Sequence, residues 1–70
     1  MTEKVLYEVS NRVAYITLNR PEKRNALNEE MVALLRDAFS RAENDVNAKI
    51  IVLRANGDAF CAGADLGYLQ

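Results

Sequence analysis

Four consecutive apolar residues, Ile50-Ile51-Val52-Leu53, constrain this chain more than any other stretch. A strand that meets water on one face alternates apolar and polar residues, so an unbroken apolar run reads as a strand covered on both faces. Its expected span is Lys49 to Arg54, and such a strand implies layers above and below a sheet. Two earlier runs carry other strand signals. Val5, Tyr7 and Val9 alternate with Leu6, Glu8 and Ser10, and Val13-Ala14-Tyr15-Ile16-Thr17-Leu18 is rich in β-branched and aromatic residues. Only Asn11-Arg12 separates them, and Asn tolerates a left-handed backbone, so residues 5–18 read as a tight hairpin.

Pro21, within the polar segment Asn19 to Asn25, lacks an N–H and biases Arg20 toward an extended backbone, which should end the second strand there. A helix over 28–44 follows. Asn28 can cap it, Glu29 and Glu30 complement the dipole of the first turn, and Met31, Leu34, Leu35, Ala38, Phe39 and Ala42 recur at three-four spacing. That stripe needs a sheet to cover, while Arg36, Arg41 and Glu43 fall mainly on the solvent side. Asn44-Asp45-Val46-Asn47 is turn-rich. The order strand, strand, helix, strand, with a path of about 30 residues from the second strand to the third, fits a right-handed crossover that makes those two strands parallel.

Seventy residues make at most one domain, with a core that is marginal at this size. Half of them are hydrophobic, the composition of a soluble globular protein, and the periodic start Leu66 to Gln70 has no helix exit after it. The chain therefore reads as an amino-terminal part of something larger. Nine Lys and Arg against ten Asp and Glu provide no broad basic surface for nucleic acid. Cys61 is the single cysteine, so an intrachain disulfide is impossible, and a reducing cytoplasm is the expected compartment. No apolar run approaches membrane-spanning length, and the absence of histidine rules out a Ser-His-Asp triad or a His-ligated metal from these residues alone.

Parallel second and third strands would bring two loops to one sheet edge, the edge where ligands bind in open α/β sheets. The first loop, Asn19 to Leu27, carries Arg20, Lys23 and Arg24; the second, Ala55 to Asp65, carries Cys61-Ala62-Gly63-Ala64. Small residues admit two uses. They allow tight packing in a strand-to-helix turn, or they expose backbone N–H groups to an anion or a polarised carbonyl, with Asp65 capping a helix that begins at Leu66. The cations likewise serve either as a solvated loop or as a phosphate contact.

Three blocks then carry a resemblance: Val13 to Pro21, Lys23-Arg24-Asn25-Ala26-Leu27-Asn28, and Asp58-Ala59-Phe60-Cys61-Ala62-Gly63-Ala64-Asp65-Leu66. In this order and at these distances the chain resembles the amino-terminal part of the enoyl-CoA hydratase/isomerase (crotonase) family. The resemblance implies an α/β fold, the crotonase-like spiral of ββα units, of which these residues supply the first unit, the next strand and a helix start. It implies a lyase or isomerase of fatty acid metabolism acting on an acyl-CoA thioester, with no permanently bound cofactor, coenzyme A being part of the substrate. The alternative is a non-catalytic acyl-CoA-binding or interaction member of the same fold, and the 70-residue piece alone is expected to be inactive.

By that resemblance, 58–66 is the oxyanion and CoA loop, and the backbone N–H of Ala64 is one of two donors to the thioester carbonyl. Ala62, Gly63, Ala64, Asp65 and Leu66 line the CoA path, Arg24 is the phosphate contact and Ala26 a backbone contact. Two donors stabilise the enolate oxygen, each worth about 3 kcal/mol. The groups that separate hydratase, isomerase, hydrolase and decarboxylase chemistry, and the second donor, belong to later segments of the family. A homotrimer or hexamer is the implied assembly. Cys61, without a histidine beside it, is expected to be a small packed side chain, and Tyr7, Tyr15 and Tyr68 to be core or edge aromatics. Adjacent Glu29 and Glu30 cannot face each other on a helix, so they read as dipole partners and not as a catalytic pair.

Overall fold

In the computed structural model, residues 3–64 are described. The expectations for Asp65 and Leu66 concern residues outside that range. Strand β1 (Val5–Ser10) and strand β2 (Val13–Leu18) form an antiparallel hairpin in which Val5 lies opposite Leu18 and Ser10 opposite Val13. The turn between them puts both Asn11 and Arg12 at positive φ, 50° and 68°. Those signs belong to the type I′ turn, whose twist matches that of the flanking strands.

A single 3-10 turn at Pro21–Lys23 leads to helix α1 (Glu29–Glu43), and strand β3 (Ile50–Ala55) follows. Its span is shifted by one residue from the apolar run's expected bounds. β3 pairs in parallel with β2, Val13 with Ile50 and Leu18 with Ala55, so β2 is the middle strand. The helix starts where local chemistry says it should: Asn28 Oδ1 accepts from the Met31 N–H at 2.9 Å, satisfying one of the orphan donors of the first turn. At the other end the Asn44 N–H and Nδ2 both donate to the Ser40 carbonyl, at 3.2 and 2.9 Å.

Alternation along β2 places Ala14, Ile16 and Leu18 on one face, and all three are buried. Ile16 packs with Val5 of β1 and Ala38 of α1, with Tyr7, Leu34 and Leu35 against that cluster. Met31 and Ala42 are buried as well. The stripe along α1 thus covers the hairpin, except for Phe39, which is exposed. β3 departs from expectation: Ile50 is 59% exposed, Ile51 39% and Leu53 40%. The helix packs on β1 and β2, and of the apolar run only Val52 is half-buried among the described residues, so the continuous burial expected of β3 is not found there.

Arg41 departs in part. It is exposed, as expected, but its guanidinium carbon also sits 4.5 Å from the centre of the Tyr7 ring, a cation–π contact in addition to solvation. The Tyr7 hydroxyl donates to Asp45 Oδ2 at 3.2 Å. Partial burial and the neighbouring Asp45 carboxylate hold this phenol above its ordinary value, opposed by Arg41. On the other face of the sheet Arg54 stacks on Tyr15 at 4.3 Å and donates from Nε to Thr17 Oγ1 at 3.1 Å. Among the described residues no helix is long and apolar enough to cross a membrane.

Candidate functional site

Because β2 and β3 run parallel, the chain leaves both at the same edge of the sheet. Two hydrogen bonds tie the exits together: Asn56 N–H donates to the Leu18 carbonyl at 2.9 Å and Asn56 Nδ2 to Asn19 Oδ1 at 3.0 Å. From this edge the segments 19–27 and 56–64 run side by side.

The first segment folds on itself. Pro21 opens the 3-10 turn, which ends at Arg24, and both Arg24 and Asn25 take left-handed φ values, 55° and 59°. Non-glycine residues seldom adopt that conformation, and Asn is among those that do so most readily. Asn25 is fully buried. Its N–H donates to the Arg20 carbonyl at 2.8 Å, and its Oδ1 accepts from the Arg20 N–H at 2.8 Å. Its amide nitrogen donates to two carbonyls of the other segment, Asn56 at 2.8 Å and Ala59 at 2.7 Å. Both donors of a buried amide are thereby used, as its burial requires.

The second segment continues from Ala59 into the small-residue stretch. Ala62 N–H donates to the Arg24 carbonyl at 3.0 Å, Leu27 N–H donates to the Gly63 carbonyl at 2.8 Å, and Leu27 and Ala64 form a parallel bridge. Gly63 has φ +99° and an added Cβ there would meet open space. Gly57 has φ +93°, and an added Cβ would lie 2.7 Å from Pro21 Cβ. The turn at Gly57 therefore sits directly against the start of the first segment.

In this parallel bridge the Leu27 N–H is bonded to the carbonyl of Gly63, the residue before Ala64. No described group accepts from the Ala64 N–H, and Ala62, Gly63 and Ala64 are all exposed. Ala26 is differently placed. Its N–H donates to Lys23 O at 3.0 Å and its carbonyl accepts from Arg20 Nη1 at 2.9 Å. Of the three cations foreseen in this loop, Arg20 thus braces the loop itself. Arg24 is exposed, and its guanidinium pairs with no described group. It borders a groove of about 410 Å3 lined by Pro21, Arg24, Gly57, Asp58 and Ala59.

Cys61 is half-exposed, not packed, and its Sγ lies 3.4 Å from the Gly63 N–H as an acceptor. Among the described residues no cluster of His, Cys, Asp or Glu could hold a metal ion. A larger hollow, about 580 Å3 beside the hairpin turn, lies at the opposite end of β2 and is lined in part by Asn11, Arg12 and Lys49. Arg24, Ala26, Ala62, Gly63 and Ala64 are brought together on the edge from which 19–27 and 56–64 run. Sequence reasoning overlooked the bracing roles of Asn25, Arg20 and Asn56; the one signal for Asn25 was an Asn following a one-turn Pro-led segment, where a left-handed residue is needed.

A family model described as Enoyl-CoA hydratase/isomerase matches residues 8–70. A probable enoyl-CoA hydratase of Mycobacterium tuberculosis, EchA14, is 49% identical over 67 residues, which is 96% of this chain and 26% of that protein. The chain thus spans about a quarter of the length of the curated relatives it matches. Among solved structures, a probable enoyl-CoA hydratase from Mycobacterium thermoresistibile superposes with a TM-score of 0.89 at 52% identity, over 90% of this chain and 27% of that one. An enoyl-CoA hydratase/isomerase from Mycobacterium paratuberculosis gives a TM-score of 0.93 at 43% identity, over 97% of this chain and 26% of that one.

Proposed function

The chain belongs to the enoyl-CoA hydratase/isomerase family, and from that membership we propose that it contributes half of an oxyanion hole and part of the CoA site to an enoyl-CoA hydratase. One observation carries the reading: the Ala64 N–H sits on an exposed stretch of backbone with no described acceptor, at the carboxyl edge of two parallel strands. A thioester oxygen is an acceptor of the right kind. When water adds to the β-carbon of an enoyl thioester, electron density moves through the conjugated system onto that oxygen. A preorganised N–H opposite it stabilises the enolate more than the neutral ester, which is what lowers the barrier.

The other elements of the edge have matching tasks. Arg24, exposed beside its groove, faces the phosphates of the coenzyme. The Ala26 carbonyl holds one bond from Arg20 and keeps a second lone pair for the adenine amino group. Ala62 and Gly63, with Asp65 and Leu66 beyond the described range, line the narrow pantetheine path, where a larger side chain turned inward would obstruct it. The acid and base that deliver water belong to the remainder of the crotonase domain. Coenzyme A is substrate here, not a resident cofactor, and the same reading carries a cytoplasmic homotrimer or hexamer.

The test is made in an enzyme where this segment is joined to the rest of its domain. Ala64→Pro deletes the donor. Hydration of crotonyl-CoA, followed by loss of the enoyl absorbance, should fall about 100- to 1000-fold in kcat, with a native circular dichroism spectrum. Unchanged turnover in a folded variant would remove Ala64 from the chemistry.

A further inference from the structure

The oxyanion donor and the CoA-bordering residues lie on different segments, and something must hold the two in register. Backbone bonds do part of this: Ala62 N–H to Arg24 O, and Leu27 N–H to Gly63 O. Both depend on the turn at 56–59, from which the donor segment emerges. That turn is fastened by a side chain. Asn25 Nδ2 reaches the carbonyls of Asn56 and Ala59, on either side of Gly57-Asp58, at 2.8 and 2.7 Å, while Oδ1 and the backbone N–H of the same residue grip both peptide groups of Arg20.

Resting on the thioester-enzyme reading above, we propose that Asn25 is a positioning residue: it sets the placement of the Ala64 N–H relative to the CoA-bordering Arg24 and Ala26. Asn25 touches no substrate in this account. It acts through the Asn56–Ala59 turn, and its neighbours Arg24 and Ala26 lie on the CoA side, so one buried amide ties the donor to the handle by which the substrate is held. The residue type follows from the geometry. Two carbonyls must receive N–H bonds and one N–H must be accepted, a combination that an amide meets and a carboxylate does not. Gln would place its amide one carbon too far from a backbone held at φ 59°, a conformation that Asn tolerates well. The structure also makes the site unforgiving. Asn25 is completely buried, so no solvent replaces a lost bond, and misplacement by about 1 Å is enough to cost about 100-fold in rate.

Two variants separate positioning from mere stability, each made in the joined enzyme. Asn25→Asp keeps the volume and the acceptor but removes both donors. Asn25→Gly removes the side chain yet adopts the left-handed backbone without strain. With crotonyl-CoA as probe, both should lose about 100-fold in kcat while KM changes by less than about threefold, the pattern of an interaction used at the transition state. Hydrogen exchange read by mass spectrometry should quicken in peptides covering 24–27 and 60–64 and stay unchanged across α1. A folded variant with kcat within about twofold of the parent overturns the proposal, as does undiminished protection of those two peptides. Should the parent enzyme itself fail to turn over the thioester, the reading of the site falls, and the exchange measurement alone decides whether Asn25 holds the two segments in register.

Discussion

Gly57→Ala is the substitution whose effect follows most directly from the geometry. Two penalties act at this position. The backbone sits at φ +93°, where a Cβ crowds the following carbonyl at about 1–2 kcal/mol. The new Cβ would also lie 2.7 Å from Pro21 Cβ, well inside the roughly 3.5–4.0 Å at which carbons rest. Pro21 cannot swing aside, because its ring fixes φ and it begins the turn that ends at Arg24. Overpacking of this kind costs about 1–3 kcal/mol, so the whole loss should be about 2–5 kcal/mol. Gly63→Ala is the internal control: its φ is +99°, but an added Cβ meets nothing within 4 Å, so only the backbone penalty of about 1–2 kcal/mol applies. Urea unfolding of the joined enzyme, followed by circular dichroism, reads both. A cycle with Pro21→Gly, which deletes the opposing Cβ, isolates the contact and should return a coupling of about 1–3 kcal/mol. Equal losses for the two glycine variants, or a coupling near zero, would refute the claim that the turn at Gly57 is set by contact with Pro21.

Two further perturbations test other parts of the fold. Arg12→Gly should stabilise the hairpin by about 0.5–1 kcal/mol, because a left-handed backbone strains any residue with a Cβ and glycine's larger unfolded-state entropy offsets only part of the gain; an unfolding midpoint that falls would contradict the I′ turn at Asn11-Arg12. Tyr7 carries a pH signature. Its folded-state value is raised, so near pH 10 the unfolded chain releases this proton first, and stability falls as pH rises. The contribution of the O–H bond to Asp45 is therefore whole below about pH 10 and is lost as pH passes the raised folded value. Tyr7→Phe should flatten that alkaline decline, and an unaltered decline would assign it to other groups.

The periodic elements were legible because their signals are local. Alternation in Val5 to Leu18 marks strands whichever partner they find, and the spacing of Met31, Ala38 and Ala42 needs only some sheet to cover, which the hairpin supplies. Asn28 was readable as a cap for the same reason: its acceptor bonds a donor three residues on. The β3 run shows where such reading overreaches. Four apolar residues record the burial a strand is selected to have, not which segments provide it, and here Ile50 and Leu53 remain 59% and 40% exposed.

Within the candidate site, the split falls along the same line. Small residues at Ala62 to Ala64 announced an approachable backbone from composition alone. Asn25 and Arg20 could not be assigned that way, because what each does is defined by a partner in three-dimensional space: a carbonyl 31 and another 34 positions away for Asn25, and for Arg20 the Ala26 carbonyl across the turn. A loop arginine and a loop asparagine have no periodicity to betray them. Yet these two side chains decide which backbone groups of the edge remain available. Arg20 occupies one lone pair of Ala26, and Asn25 fastens the turn from which the exposed Ala64 amide emerges. The long-range hydrogen bonds of the buried Asn25 amide, with the Arg20 brace across the turn, thus hold two individually unremarkable loops side by side, and a sequence pattern can point to an exposed backbone amide without revealing what holds it in place.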